Sequence, residues 1–175
     1  ILGIHNNYNA SFQSVWTDIN LDGWQDLYVV NDRLDTNRIY INIGGVFEDA
    51  SVSMGLDVRL NSMSNSISDF DNDGDFDVYI SNTPEDNYFM RHEGGGFINV
   101  AGDLGLILNE WCWSGLWMDY DNDSDDDLHV STRGNPQYDE RNPFFINENG
   151  TFSKLNGYGL EGDEYQSTCS AKGDF

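Results

Sequence analysis

The stretch DFDNDGDFD, residues 69–77, places five aspartates on alternate positions around a central glycine. Alternating carboxylates on a tight loop can point at one centre, and a hard cation such as Ca²⁺ takes roughly six to eight oxygen ligands. A glycine at the sixth position lets the backbone reverse, so that the seventh residue can offer its carbonyl oxygen. Without a cation, carboxylates this close together would repel one another strongly. The spacing therefore predicts a calcium loop.

Two further loops of this kind occur, at residues 18–26 and 119–127, so the three loops start 51 and then 50 residues apart. In each loop we expect side-chain ligands at positions 1, 3, 5 and 9 and a carbonyl ligand at position 7. We accordingly predict about three Ca²⁺ ions per chain, one in each loop. The expected ligands are Asp18, Asn20, Asp22, Trp24 and Asp26; Asp69, Asp71, Asp73, Asp75 and Asp77; and Asp119, Asp121, Asp123, Asp125 and Asp127.

Other kinds of acidic loop fit the pattern less well. An EF-hand needs a bidentate glutamate at its twelfth position and helices on both sides, but the twelfth positions here are Val29, Ile80 and Val130. Mg²⁺ prefers few protein ligands and several waters. Plain polar turns remain an alternative, because Asp, Asn and Gly favour turns even without a cation.

Short β-prone runs flank each acidic loop, and a hairpin pattern follows at the same period. The pattern consists of an apolar run, a turn rich in Gly or Asn, and then a phenylalanine, followed by a Gly-Leu pair. No stretch shows sustained helical periodicity. The phenylalanines are Phe47, Phe97 and Phe152, and the pairs are Gly55-Leu56, Gly105-Leu106 and Gly159-Leu160.

Each unit thus reads as about four short antiparallel strands in about 50 residues, which is typical of a propeller blade. We expect an all-β fold, with residues 1–175 forming a single β-propeller segment of about three blades. The tripeptide GDF at 173–175 reopens the motif at Asp174 and indicates the start of a fourth blade. The expected units are approximately 12–61, 62–111 and 112–166, with the next beginning within 167–175.

These motifs resemble the FG-GAP/VCBS repeats. The resemblance rests on the DxDxDGxxD loop followed by Leu or Val, the N-x-(Y/F)-x-N-x-G-x-F hairpin and the trailing Gly-Leu. It implies calcium-bearing β-propeller blades like those of integrin α subunits and many secreted bacterial proteins, closest in style to the VCBS and cartilage-acidic-protein-like (ASPIC/UnbV-associated) repeats. This chain departs from the pattern at Asn20, where Asp is usual, and at Ser124, where Gly is usual, and it has no Gly-Ala-Pro triplet.

Three units and part of a fourth are too few to close a propeller, which takes about four to eight blades. The resemblance implies a parent of about seven blades. The chain also begins without an initiator Met or a signal-peptide pattern. We therefore expect either a piece of a longer protein or an open arc, with the remaining blades or a partner chain covering its edges.

Composition excludes several classes of partner. The chain has 31 acidic and 8 basic residues, a formal net charge of −23, which disfavours nucleic acid and anionic membranes as partners. No apolar run approaches the roughly 20 residues that span a bilayer, so no membrane insertion is expected. The aromatic share of 14% suits a packed fold rather than a disordered acidic chain.

The two cysteines, Cys112 and Cys169, fall on the innermost strands of successive units. A disulfide between them would suit an oxidising compartment, and two buried thiols are the alternative. Calcium is plentiful outside cells and would fill such loops without special affinity. We therefore expect an extracellular or cell-surface protein.

We expect no enzymatic activity in this segment, because the histidines are scattered and no catalytic motif occurs. The sequence instead predicts a calcium-stabilised binding, adhesion or protein-interaction module whose metal is structural. A partner loop is expected on the face opposite the metal loops, where the third unit carries a longer connection with Arg133, Tyr138 and Arg141. The partner would be a protein or glycan. The alternatives are a non-catalytic propeller of a secreted polysaccharide-degrading enzyme and a structural subunit of a cell-envelope complex or filament.

Overall fold

The computed structural model describes residues 3–6, 9–84, 86–133, 141–157 and 168–172. In this part of the chain, twelve strands form three antiparallel sheets of four strands, and each sheet follows chain order. Blade 1 contains β1 (Ala10–Thr17), β2 (Asp26–Asp32), β3 (Arg38–Ile43) and β4 (Val46–Asp49); blade 2 contains β5 (Ser62–Ser68), β6 (Asp77–Asn82), β7 (Tyr88–Glu93) and β8 (Gly96–Asn99); blade 3 contains β9 (Cys112–Met118), β10 (Asp127–Thr132), β11 (Phe144–Glu148) and β12 (Thr151–Leu155).

The second strand of each blade is buried on both faces. In β2, Leu27 and Val29 face one side while Tyr28 and Val30 face the other, and all four are buried. A continuous short apolar run of this kind is the pattern of a strand covered on both sides. Each sheet is therefore covered on both faces at its second strand, rather than having one face exposed to solvent.

Apolar side chains from adjacent blades form shared cores, and the innermost strands β1, β5 and β9 contact one another in sequence. Between blades 1 and 2 the buried residues include Ile19, Tyr28, Val30, Ile39, Leu56, Val78, Ile80, Met90 and Phe97. Between blades 2 and 3 they include Phe70, Tyr79, Phe89, Leu106, Cys112, Trp117, Leu128, Val130 and Phe145. The predicted all-β fold of propeller-like blades is confirmed, and the described blades do not close a ring.

The Gly-Leu pairs start the segments that connect successive blades. At Gly55 the backbone has a φ of 73°, and a Cβ there would lie 2.9 Å from the carbonyl oxygen of Phe97. Gly3 has the same conformation and lies against the carbonyl of Phe47, while Ile4 packs on the core of blade 1. Residues 3–4 are thus a further copy of the pair, with isoleucine for leucine, which the sequence reasoning missed.

A helical turn, α1 (Ser51–Met54), precedes the connection from blade 1 to blade 2. None of the helices in the described residues has the length and apolarity needed to cross a bilayer.

The acidic loops lie at one end of the blades, and the connections between second and third strands and between blades lie at the other end. The acidic loops join the first and second strands of each blade. At the other end, the connections between second and third strands contact those between blades: Asn37 N donates to Val58 O (2.9 Å), and Arg133 N donates to Trp111 O (2.9 Å). The end of the blades opposite the acidic loops is called the distal face below.

A disulfide does not join Cys112 and Cys169, although it was one of the two alternatives that the sequence left open. Cys112 is buried in β9, where its thiol donates to the carbonyl oxygen of Glu110 (3.5 Å). Cys169 is exposed and is not bonded to it. The two cysteines share a position in the repeat pattern only loosely, seven residues before one acidic motif and five before the next, so their side chains meet different surroundings.

Residues 168–172 pack against blade 3. Ser170 Oγ lies 2.9 Å from His129 Nδ1, and Lys172 Nζ donates to Trp117 O at 3.0 Å. His129 occupies the place in β10 that Tyr79 occupies in β6, where β9 packs on it. This segment therefore lies where the innermost strand of a fourth unit is expected. The motif residue Asp174, and the third Gly-Leu pair at Gly159 and Leu160, lie outside the described residues.

We predict that Gly115→Ala destabilises the protein by about 1–3 kcal/mol, because a Cβ there would overlap the ring of Tyr79 in the blade 2–blade 3 core. Gly102→Ala is the matched control, since its Cβ would meet Ile107 Cδ1 at an ordinary 3.6 Å. Urea unfolding of both variants in excess calcium measures the difference. Equal stabilities would contradict the close packing of β9 on Tyr79.

Candidate metal centre

The three acidic loops share one backbone framework. They are called loop 1 (18–26), loop 2 (69–77) and loop 3 (119–127). The first aspartate of each loop accepts the backbone N–H of position 6, and in loops 1 and 3 it also accepts the N–H of position 5. The bonds are Asp18 from Asp22 and Gly23 (2.9 and 2.8 Å), Asp119 from Asp123 and Ser124 (3.1 and 3.2 Å), and Asp69 from Gly74 (3.1 Å). The fifth residue then accepts the N–H of position 7 in all three loops.

Two positions of each loop have left-handed backbone conformations. The fourth residues are Leu21, Asn72 and Asn122, with φ of 58°, 57° and 63°. The sixth residues are Gly23, Gly74 and Ser124, with φ of 91°, 96° and 80°. Glycine adopts this conformation without strain, whereas a residue with a Cβ loses roughly 1–2 kcal/mol. Ser124 therefore carries strain that its two counterparts lack.

The ninth residue of each loop is a fully buried aspartate that joins three parts of its blade. One carboxylate oxygen accepts the N–H of the second loop residue, and the other accepts an N–H of the third strand. The donors are Ile19 and Asn42 for Asp26, Phe70 and His92 for Asp77, and Tyr120 and Asn147 for Asp127, at 2.7–3.4 Å.

Burial disfavours the charged form of these carboxyl groups. It raises the pKa of Asp26 and Asp127 above the ordinary value, and it raises the pKa of Asp77 to about 7. The hydrogen bonds from backbone N–H groups oppose this shift, and the neighbouring carboxylates reinforce it. A cation beside such a group would restore its charged form.

Carboxylates converge in two of the loops. Asp69, Asp71 and Asp77 each offer an oxygen within 4.8 Å of the others, and so do Asp119, Asp121 and Asp127. In loop 1 the third position is Asn20, which donates to Asp22 Oδ2 (3.0 Å). Asp73 and Asp123 lie outside the two groups, and Trp24, Asp75 and Asp125 were expected to contribute only carbonyl oxygens.

The residues of loop 2 fit a divalent cation. Asp69 Oδ1 and Asp71 Oδ1 are buried, and neither accepts a hydrogen bond. A buried charged oxygen without a partner is costly, and native proteins rarely tolerate it unless an ion or water satisfies it. Hard carboxylate oxygens are the ligands that Ca²⁺ prefers.

Blade 3 covers loop 2 through side-chain contacts that the sequence did not predict. Asp125 Oδ1 accepts Asn72 Nδ2 (2.8 Å), and Asp125 Oδ2 accepts the N–H of Asn149 (2.6 Å). Asp126 Oδ2 accepts Ser68 Oγ (2.8 Å). The position-7 side chain of loop 3 is therefore a contact between blades. The sequence alone does not distinguish a carboxylate that joins two blades from one that lies on the surface.

An asparagine of the hairpin motif fastens two of the acidic loops to the turn between the third and fourth strands. Asn42 donates to Gln25 O (3.0 Å) and accepts Gly45 N (2.7 Å); Asn147 makes the same pair with Asp126 O and Gly150 N (3.2 and 2.8 Å). In blade 2 this residue is His92, whose Nδ1 lies 3.0 Å from Asp75 Oδ2 and whose ring stacks on Phe97.

Two residues of the expected partner loop, Arg133 and Arg141, lie on the distal face. Arg133 places its guanidinium 4.6 Å from the ring centre of Trp111, and Arg141 is half-buried at the far end of the same connection. Tyr138 lies outside the described residues. Arg133 and Arg141 thus lie at the opposite end of the blades from the acidic loops.

A comparison with protein families finds the model of the FG-GAP-like repeat at residues 18–80 and again at 69–130. The two matches together contain all three acidic loops. A search of curated proteins finds no match to the chain.

We predict that Ser124→Gly stabilises the protein by about 1 kcal/mol, because it relieves the left-handed strain at the sixth position of loop 3. Gly74→Ser, which introduces the same strain in loop 2, should cost a similar amount, since a Cβ there meets no atom within 4 Å. Urea unfolding compares both variants with the unaltered chain. A destabilising Ser124→Gly would show that the serine side chain, not its backbone, matters.

We predict that Asp77→Asn costs about 1–3 kcal/mol in the presence of a chelator, because an amide can accept only one of the two N–H groups that Asp77 holds. Asp73→Asn is the control: Asp73 is exposed, and an amide oxygen can still accept the N–H of Asp75. Chemical denaturation near neutral pH measures both. A loss below about 0.5 kcal/mol for Asp77→Asn would contradict its structural role.

Proposed function

The chain belongs to the FG-GAP-like repeat family, and on this premise we propose that it is a calcium-stabilised module for binding or adhesion outside the cell. Repeats of this family form interaction propellers that are generally non-catalytic. The observation that carries the metal assignment is the pair of buried oxygens, Asp69 Oδ1 and Asp71 Oδ1, which lack hydrogen-bond partners beside Asp77.

The proposed role of the metal is structural. Each acidic loop joins the first and second strands of its blade, and its ninth residue also holds the third strand. A cation held by these carboxylates would neutralise their mutual repulsion and fix the loop. It would thereby stiffen three of the four strands of each blade without taking part in any reaction.

Calcium is favoured over magnesium by the ligands. Each loop offers several protein oxygens on a flexible backbone, whereas Mg²⁺ demands a small octahedral shell and retains several waters. Extracellular calcium modules work at dissociation constants of about 10⁻⁴–10⁻³ M, which the more exposed loops 1 and 3 would suit. This supports an extracellular or cell-surface location.

The partner is proposed to bind on the distal face and to be a protein or a glycan. Arg133 is held on Trp111 by its ring contact, and its backbone N–H is bonded to the same residue. Arginine and tryptophan are over-represented among residues that dominate binding energy. A fixed cation–ring pair also loses less side-chain entropy on binding than a free arginine.

The open side of blade 1 supports a second contact, with further blades or with a partner chain. Trp16 is 51% exposed there, whereas Trp117, at the same place in blade 3, is 4% exposed in the blade 2–blade 3 core. Phe12 is also 57% exposed on β1. Exposed aromatic groups of this kind mark an interaction surface.

We predict that a chelator lowers the melting temperature by roughly 5 °C or more, that added calcium restores it, and that the native protein binds about three calcium ions. Thermal unfolding in calcium, in EDTA and in restored calcium, with elemental analysis of the dialysed protein, measures this. Magnesium at the same concentration is the control. No shift and no bound metal would leave the acidic loops as turns and remove the main support for an extracellular role.

A further inference from the structure

Among the three acidic loops, loop 2 has the most enclosed carboxylates. At the first and third positions, Asp69 and Asp71 of loop 2 are both half-buried, whereas Asn20 in loop 1 and Asp119 and Asp121 in loop 3 are exposed. Asp18 in loop 1 is half-buried, and the fifth-position aspartates of all three loops are exposed. In the described chain, the buried acidic-loop oxygens without hydrogen-bond partners all belong to loop 2: Asp69 Oδ1, Asp71 Oδ1 and Asp75 Oδ1.

The cover over loop 2 comes from blade 3. Asp125 accepts Asn72 Nδ2, Asp126 accepts Ser68 Oγ, and Asn147 Nδ2 donates to Phe70 O at 2.7 Å. Gly150 closes over the third-position ligand, since a Cβ there would lie 3.6 Å from Asp71 Cβ. The N–H of Asn149 holds the second oxygen of Asp125, so its carboxylate is fixed at both ends.

The junction between loop 1 and blade 2 has other residues at three of the matching places, while Asp75 stands where Asp125 stands. Leu21 stands where Asn72 stands, Phe76 stands where Asp126 stands, and His92 stands where Asn147 stands. Leu21 and Phe76 have no polar side-chain atoms, so neither side chain can form a hydrogen bond between the blades. The described residues accordingly show no side-chain hydrogen bond from loop 1 to blade 2. The enclosure of loop 2 is therefore a property of these side chains and not of the repeat as such.

We propose that loop 2 is the tightest calcium site of the three and that its ion couples blade 2 to blade 3, with Asp125 as the positioning residue. This inference rests on the proposed calcium binding. A cation in an enclosed site interacts more strongly with its ligands than one facing water. Because blade 3 holds loop 2 in its binding conformation, docking of blade 3 raises calcium affinity, and calcium strengthens the docking by the same factor.

The first part of the test assigns the tight site. Calorimetric titration with calcium chloride is performed on the full chain and on variants at the third position of each loop: Asn20→Ala, Asp71→Asn and Asp121→Asn. We expect the unaltered chain to show one tight step and two weaker ones. Asp71→Asn should remove the tight step, and the other two variants should each remove a weaker one.

The second part tests the coupling without touching the side-chain ligands of loop 2. Asp125→Ala keeps the backbone carbonyl but removes the contact with Asn72, and it should weaken the tight step about five-fold or more. Trp24→Ala is the matched control, because it changes the same loop position in loop 1, where the side chain is 52% exposed. It should leave the tight step unchanged.

Circular dichroism in saturating calcium confirms that each variant is folded, and Ser68→Ala provides a milder second variant that removes the bond to Asp126. It should weaken the tight step in the same direction. Three outcomes would overturn the inference while leaving calcium binding intact. The three sites could bind calcium equally, or the tight step could be lost in Asn20→Ala or Asp121→Asn. The tight step could also stay unchanged in both Asp125→Ala and Ser68→Ala. Absence of any calcium binding by the unaltered chain would instead overturn the proposed function.

Discussion

The structure depends on one buried carboxylate in each blade. Asp26, Asp77 and Asp127 each lie in a fully buried position and accept two backbone N–H groups, one from the acidic loop and one from the third strand. Burying a charge is tolerated only when such bonds satisfy it. The same residue that ends the loop therefore fixes the loop against the sheet, and an acidic turn becomes part of the core of the blade.

The rest of each loop is built around that anchor, and the neighbours decide how the copies differ. All three loops use the first aspartate to hold the turn and a left-handed residue at the sixth position. Among the described residues, loop 2 forms side-chain hydrogen bonds with the next blade and loop 1 forms none. Similar motifs can thus have different environments, because the side chains that contact each loop come from the neighbouring blade and differ from one blade to the next.

The repeat period, the four-stranded blades and the clustering of Asp69 with Asp71 were predictable, since they follow from local spacing and alternation. Contacts between blades were not. Asp125 looked like a carbonyl ligand, yet its side chain joins two blades through Asn72. A Cys112–Cys169 disulfide was one of two alternatives suggested by their similar places in the repeat, but the chain register differs by two residues and the two cysteines are not bonded. Local pattern specifies elements, whereas long-range partners depend on packing.

The location of all three acidic loops at one end of the blades gives the molecule an uneven distribution of charge. The aspartates of the three loops concentrate negative charge at that end, and their field acts over roughly a Debye length, about 8 Å at physiological salt. A negatively charged molecule would be repelled from the acidic end. A cation bound in each loop would weaken this repulsion, so the proposed calcium would change the charge that the acidic end presents as well as the stiffness of the blades.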